Sequence, residues 1–143
     1  MKIFKSPQIR EIDKTTIEKE PVLSINLMER AAWQLYGFIE EKFSKDTPIT
    51  LLAGPGNNGG YAVALARLLT DNNYNANLWL LKIGKDRSTD CQANIKRLEA
   101  YSNIQIHELS DKDEFPEIPA NHLIIEGIRS EERRVGKECT LRC

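Results

Sequence analysis

The sequence holds only two histidines, His107 and His122, and three cysteines, Cys91, Cys139 and Cys143. Neither histidine has a partner at a metal-binding spacing, and the cysteines form neither a disulfide framework nor a zinc-type pair. Both histidines read as surface or strand-end residues, and Cys91 as a small, partly buried thiol. No apolar run is long enough to span a bilayer. Met1-Lys2-Ile3-Phe4-Lys5-Ser6 turns polar too soon for a signal peptide. A dominant charge is also missing: the formal net charge is -1 over 143 residues. That argues against a nucleic-acid binder and against an acidic, solvating tail. Aromatics are sparse, and Trp33 and Trp79 read as core or half-buried. What remains is 41% hydrophobic and 29% charged residues, the balance of one soluble globular domain. Cytoplasm is the default compartment, with neither nucleic acid nor membrane as partner.

The patterning alternates between two periods. Ser6-Pro7 with Ile9, Ile12 and Ile17 reads as a capped first helix, ended by Glu20-Pro21. A second helix starts near Ser24 or Asn26, where Asn26 and Glu29 have capping-box spacing. Its stripe is Ile25, Met28, Ala32, Leu35 and Ile39. Pro48 to Leu52 then reads as a buried strand. Ala62–Leu69 is expected to be a compact helix with Arg67 facing water. Ala76–Leu81 is a second strand, Ser88–Tyr101 a helical stretch, Ile104–His107 a third strand and Leu123–Glu126 a fourth. Strand–helix–strand alternation implies crossover connections and a mostly parallel sheet.

The pattern breaks after Ile128. Arg129, Arg133, Arg134, Lys137 and Arg142 outnumber Glu131, Glu132 and Glu138 in a segment without period. The string Arg129–Cys139 resembles the translation of a sequencing adapter. Residues 129–143 are therefore expected to be a non-native or disordered tail, and 1–128 the partial domain. A solvated basic tail with a binding role is the other reading.

Between the first strand and its helix lies Gly54-Pro55-Gly56-Asn57-Asn58-Gly59-Gly60. Glycines permit positive φ and close approach of a ligand to backbone. The first amides of the following helix favour an anion. Gly54, Gly56 and Gly59 satisfy a G-x-G-x-x-G pattern, which gains meaning from its strand–loop–helix setting. The usual dinucleotide site wants an acid ending the second strand, but Leu80-Leu81-Lys82 has none. A P-loop wants Gly-Lys-Ser/Thr, but the helix opens with Gly59-Gly60-Tyr61. The paired asparagines offer donors to a polar ligand and neutral oxygens to a hard cation. The plainer alternative is a tight turn in which asparagine tolerates left-handed backbone. Two adjacent asparagines among four glycines exceed that need.

This loop resembles the signature of the NAD(P)H-hydrate epimerase family (YjeF N-terminal domain), close to G-P-G-N-N-G-G-D-G. Gln8–Asp13 and Leu27–Ala32 are similar to that family's first two helices. The resemblance implies a Rossmann-like three-layer α/β/α sandwich, here incomplete, with two N-terminal helices and about four strands. It implies interconversion of the R and S forms of hydrated NADH and NADPH, a bound potassium ion and a homodimer. It assigns Asn57, Asn58, Gly59, Gly60 and Tyr61 to the hydrated nucleotide. Asn58 and Glu126 become potassium ligands. Glu126, ending the fourth strand, is also the candidate catalytic residue, since a carboxylate can bind a hard cation or move a proton.

Three departures qualify the resemblance. Tyr61-Ala62 replaces Asp-Gly, Glu126 is longer than the usual aspartate, and Arg129-Ser130 stands where Phe-Gly-Thr-Gly should begin. The second phosphate loop, the later nucleotide contacts and a downstream dehydratase domain found in bacterial relatives are missing from the sequence, so little activity is expected of these 143 residues. The competing functions are a non-catalytic protein-interaction module, which Tyr61 would suit, and a generic nucleotide-binding module.

Overall fold

Ile49–Ala53 forms strand β1, buried at all five positions. Such a strand needs cover on both faces, as the middle of a parallel sheet has. The computed structural model describes Glu11, Lys14 and residues 23–84, 86–100 and 104–128. Its elements are α1 (Ser24–Lys42), β1, α2 (Asn57–Asp71), β2 (Ala76–Lys82), α3 (Thr89–Leu98), β3 (Gln105–Ser110) and β4 (Leu123–Gly127). The first predicted helix and the tail lie outside the described residues, except that Glu11 and Lys14 are helical.

All the strand pairings are parallel, in the order β3-β2-β1-β4. The α/β class and parallel sheet predicted from sequence are thus present. The steps from β1 to β2 and from β2 to β3 run in one direction across the sheet. Right-handed crossovers therefore place α2 and α3 on one face. One core joins Ile49, Leu51 and Ala53 of β1, Leu78 of β2, Val63 and Leu65 of α2 and Leu98 of α3. Each fully buried leucine or isoleucine there contributes about 1.5–3 kcal/mol of transfer free energy. The chain then returns past β1 to place β4 on its other side. A second helical layer on the opposite face is not among the described residues.

Local details correct several expectations. Helix α1 begins at Ser24 after Leu23, without a side-chain cap. Asn26 lies inside the first turn and is no cap; its amide bonds to the Leu23 carbonyl at 2.8 Å. Tyr36 replaces Leu35 in the buried stripe, beside Met28, Ala32 and Ile39, while Leu35 is 46% exposed. The steps 28, 32, 36, 39 keep one line along a 3.6-residue helix. Trp33 is half exposed, with its ring edge-on to Tyr36. Trp79 is half-buried and stacks on His107, which is exposed on β3. Strand β3 runs on to Ser110, whose amide and hydroxyl both donate to Asp113 at 2.7 Å. As an edge strand it lacks the burial signal that marks the others.

Arg67 does not face water. Its guanidinium bonds to Glu29 of α1 and lies 3.7 Å from Asp71, with only 15% of the side chain exposed. Two helices thus meet through a largely desolvated ion pair, and each partner has a second, looser one: Asp71 for Arg67, and Arg97 at 3.9 Å for Glu29.

Candidate functional site

The glycine segment sits where β1 ends beside β4. β2 and β4 flank β1 and are reached by connections running in opposite directions, so this is the topological switch point of the sheet. In open α/β sheets ligands bind at the carboxyl ends of the strands at such a point.

Helix α2 begins at Asn57, so Asn57, Asn58, Gly59 and Gly60 form its first turn rather than a loop. The sequence reading began the helix at Ala62, because each glycine costs a helix about 1 kcal/mol. Packing overrides that preference. A Cβ on Gly59 would overlap the carbonyl of Gly54. One on Gly60 would lie 2.7 Å from the Met28 sulfur, and one on Gly54 would lie 2.9 Å from the Ile128 carbonyl oxygen. The expectation of positive φ is also corrected. Among the described residues only Asn73 and Gly84 have it, and Gly56 is extended at φ -82. These glycines serve close approach of the chain to itself. The alternative in which Asn57 and Asn58 merely tolerate left-handed backbone fails too, since both are helical.

The turn is closed on one side and open on the other. The Gly54 amide donates to the Gly127 carbonyl at 3.1 Å, and the Gly60 amide to Gly56 at 3.2 Å. Gly56, the N-cap, offers no side chain to cap the helix. Among the described residues the amides of Asn57, Asn58 and Gly59 have no backbone acceptor. These are the orphan donors of a helix start, where partial positive charge collects. Asn57 is exposed, Asn58 half-buried and Tyr61 half-buried.

Supports come from Ser88 and Cys91, which the sequence does not assign to the site. The Ser88 amide donates to the Pro55 carbonyl at 2.8 Å. The Cys91 thiol lies 3.8 Å from the Gly54 carbonyl. Cys91 is fully buried rather than partly so, and burial pushes its thiol up while Arg87 pulls it down. Ser88 also caps α3, its side chain accepting from the Cys91 amide at 3.2 Å. The only hint in the sequence was the serine before a helical stretch.

Glu126 lies at the exposed end of β4, in register with Leu52. The next residue, Gly127, is buried against α2, where a Cβ would meet the Asn58 carbonyl at 2.6 Å and Ala62 at 2.9 Å. Strand alternation turns Glu126 to the opposite face from Gly127. The fold thus brings the asparagine turn to the end of β4, with the Glu126 carboxylate solvent-facing there. At the other end of β4, half-buried His122 bonds through Nδ1 to Thr50 Oγ1 at 2.8 Å, a structural link across the β1–β4 pair. Among the described residues no three His, Cys, Asp or Glu side chains group to hold a metal, and no helix is long and apolar enough to cross a membrane.

Comparison with known proteins agrees with this geometry. Residues 24–133 match the model of the YjeF-related protein N-terminus. An NAD(P)H-hydrate epimerase of Limosilactobacillus reuteri is 37% identical over 115 residues, covering 77% of this chain and 51% of that protein. The NAD(P)H-hydrate epimerase of Lentilactobacillus buchneri is 31% identical over 107 residues, covering 74% and 50%. The bifunctional NAD(P)H-hydrate repair enzyme Nnr of Dictyoglomus turgidum is 42% identical over 74 residues, 50% of this chain and 14% of that one. The chain thus spans about half the length of these two epimerases. The crystal structure of yeast ynu0, YNL200c, shares the fold with a TM-score of 0.64 at 24% identity, covering 76% of this chain and 47% of that one. With its glycine turn at the switch point and a family match over most of its length, the chain belongs to the YjeF-related N-terminal family.

Proposed function

We propose that this chain carries the asparagine-turn half of an NAD(P)H-hydrate epimerase site, acting in repair of hydrated nicotinamide nucleotides. The observation that carries the reading is the set of unpaired amides at Asn57, Asn58 and Gly59 beside paired carboxamides, at the switch point of a parallel sheet. The names of its relatives supply the substrate. In this reading the amides hold the charged, phosphate-bearing part of the nucleotide, and Asn57 and Asn58 orient its polar groups. Glycine at 59 and 60 lets the first turn of α2 seat against Gly54 and Met28, which fixes where its amides stand. Glu126 is the proton-handling group, an exposed carboxylate at the adjoining strand end.

Asn58 and Glu126 are the residues that would hold a potassium ion in this reading, on the chemistry of their oxygens rather than on a pocket formed between them, since strand alternation turns Glu126 away from the face on which α2 packs. The carboxamide oxygen of Asn58 and the carboxylate of Glu126 are hard oxygen ligands, the kind such a cation takes. Bound there, the ion would supply positive charge to steady the nucleotide. A homodimer and a downstream dehydratase domain belong to the same proposal.

The test uses the protein at the full length of its relatives. Hydrated NADPH enriched in the R form is supplied with an excess of an S-specific dehydratase and potassium. Complete consumption faster than the spontaneous rate is expected; consumption at the spontaneous rate rejects the reading. Tyr61 favours one competing function, a protein-binding module without turnover. Tyr61→Asp separates the two: rising turnover marks an impaired enzyme, and no turnover in either form marks the module.

A further inference from the structure

Beside the glycine turn, on the side away from β4, lies an open cleft of about 750 Å³. Its floor is the carboxyl end of β2 and the turn after it, and its far wall is α3. Pro55 of the glycine turn lines one end, so the cleft continues from the unpaired amides. Ile83 and Ile95 give it aliphatic surface, and Lys82, Arg87 and Lys96 face it with three cations.

We infer that this cleft takes the adenosine end of the dinucleotide and is built for the form phosphorylated on its ribose. The inference rests on the nucleotide reading above. Three observations support it. First, position: in sheets of this kind a dinucleotide runs from the glycine turn across to the end of the second strand. The cleft is the space that joins those two places. Second, the residue ending β2 is Lys82. A carboxylate there would hold the two ribose hydroxyls of an unphosphorylated nucleotide and repel a phosphate, and neither action is open to lysine. Third, the cations are placed rather than scattered. Glu108 of β3 bridges Lys82 at 2.5 Å and Arg87 at 3.2 Å. The Lys82 hydrogen bond, with Arg87 adding to it, holds the Glu108 carboxyl below the usual range. The Arg87 backbone is further fixed by Gln92, whose amide donates to its carbonyl at 2.9 Å. One nitrogen of Arg87 serves Glu108, which leaves the other donors of its fork for a second anion. Lys96, across the cleft on α3, forms no ion pair among the described residues. Asp86 and Glu99 also line the cleft. They offset part of the cationic charge, and a doubly charged phosphate seated between Arg87 and Lys96 would act through direct charge-assisted bonds.

Adenosine 2′,5′-bisphosphate and 5′-AMP are the probes, titrated separately into the 143-residue chain by calorimetry at low salt. The bisphosphate is expected to bind about tenfold more tightly or better, from one added phosphate between two cations. Lys96→Met and Arg87→Met should each shrink that ratio and together bring it near one, the bisphosphate losing more affinity than 5′-AMP. Lys96 is exposed and bears no ion pair among the described residues, so Lys96→Met keeps the test readable if Arg87→Met unfolds. Equal affinities in the parent chain, no binding of either probe at millimolar concentration, or a ratio indifferent to Lys96→Met overturns the inference. These outcomes are independent of turnover. A protein that prefers the bisphosphate yet leaves R-hydrates unconverted would retain the cleft and lose the epimerase.

Discussion

The two sides of the candidate site are built in opposite ways. On the α2 side, three glycines stand where a Cβ would strike backbone or the Met28 thioether, and hydrogen bonds from Gly54 and to Pro55 fix the turn. On the β4 side, Glu126 is an exposed carboxylate on an edge strand, and only its neighbour Gly127 is packed. Geometry is over-determined on the first side, while the second presents chemistry with little steric constraint. Substitution of the packed glycines should therefore damage folding, and substitution of the polar side chains that face outward should damage function.

The largest effect is expected from Gly59→Ala. The added methyl meets the Gly54 carbonyl, which belongs to the backbone and cannot rotate away. Overpacking typically costs about 1–3 kcal/mol, and this case should reach or exceed the top of that range in urea denaturation. A loss under about 1 kcal/mol would mean that the turn is softer than described. Gly127→Ala should come next, at about 2–3 kcal/mol, because its contacts are the Asn58 carbonyl and the Ala62 methyl. That result would show that β4 shares the tight geometry through one residue only.

Chemical substitutions should behave in reverse. Glu126→Gln keeps shape and is exposed, so stability should move by less than about 0.5 kcal/mol. Epimerisation in the full-length protein should fall about tenfold or more if the group handles a proton. Asn58→Ala should likewise weaken nucleotide binding and its dependence on potassium far more than it changes the melting temperature. A variant at either position that unfolds the chain while sparing turnover would break the comparison. The smallest effect belongs to Gly56→Ala. Nothing lies within 4 Å of its Cβ position, and its φ of -82 suits any residue. The chain-stiffening benefit of alanine and its poor performance as an N-cap should nearly cancel, within about 0.5 kcal/mol.

Much of this architecture could be read from the period of apolar residues. Pro48–Leu52, Ala76–Leu81 and Leu123–Glu126 announce strands, and Ala62–Leu69 a helix, because burial leaves its mark in sequence. The glycine turn is legible as a strand-to-helix junction but not as helix. Local propensity disfavours glycine in a helix, and only contact with Gly54 and Met28 reveals why it is there. Arg67 was misread for a related reason: an arginine in a helix looks solvated until Glu29, from another helix, is brought against it. Edge strand β3 was cut short, since half-exposed Glu108, Leu109 and Ser110 carry no burial signal. The cleft was hidden altogether. Its residues come from the turn before α2, the end of β2 and the body of α3, which only the crossover connections bring together.

The bond between the Gly54 amide and the Gly127 carbonyl has a consequence for how the chain matures. The glycine turn leaves the ribosome well before the strand that completes it. Every pairing in the sheet is parallel and distant in sequence, a topology that folds slowly. Until β4 arrives, the β1 edge lies open to wrong partners. Pulsed hydrogen exchange should find the Gly54 amide protected in the same phase as β4, later than the helices. The row of open amides at the start of α2 is then among the last features the nascent molecule completes.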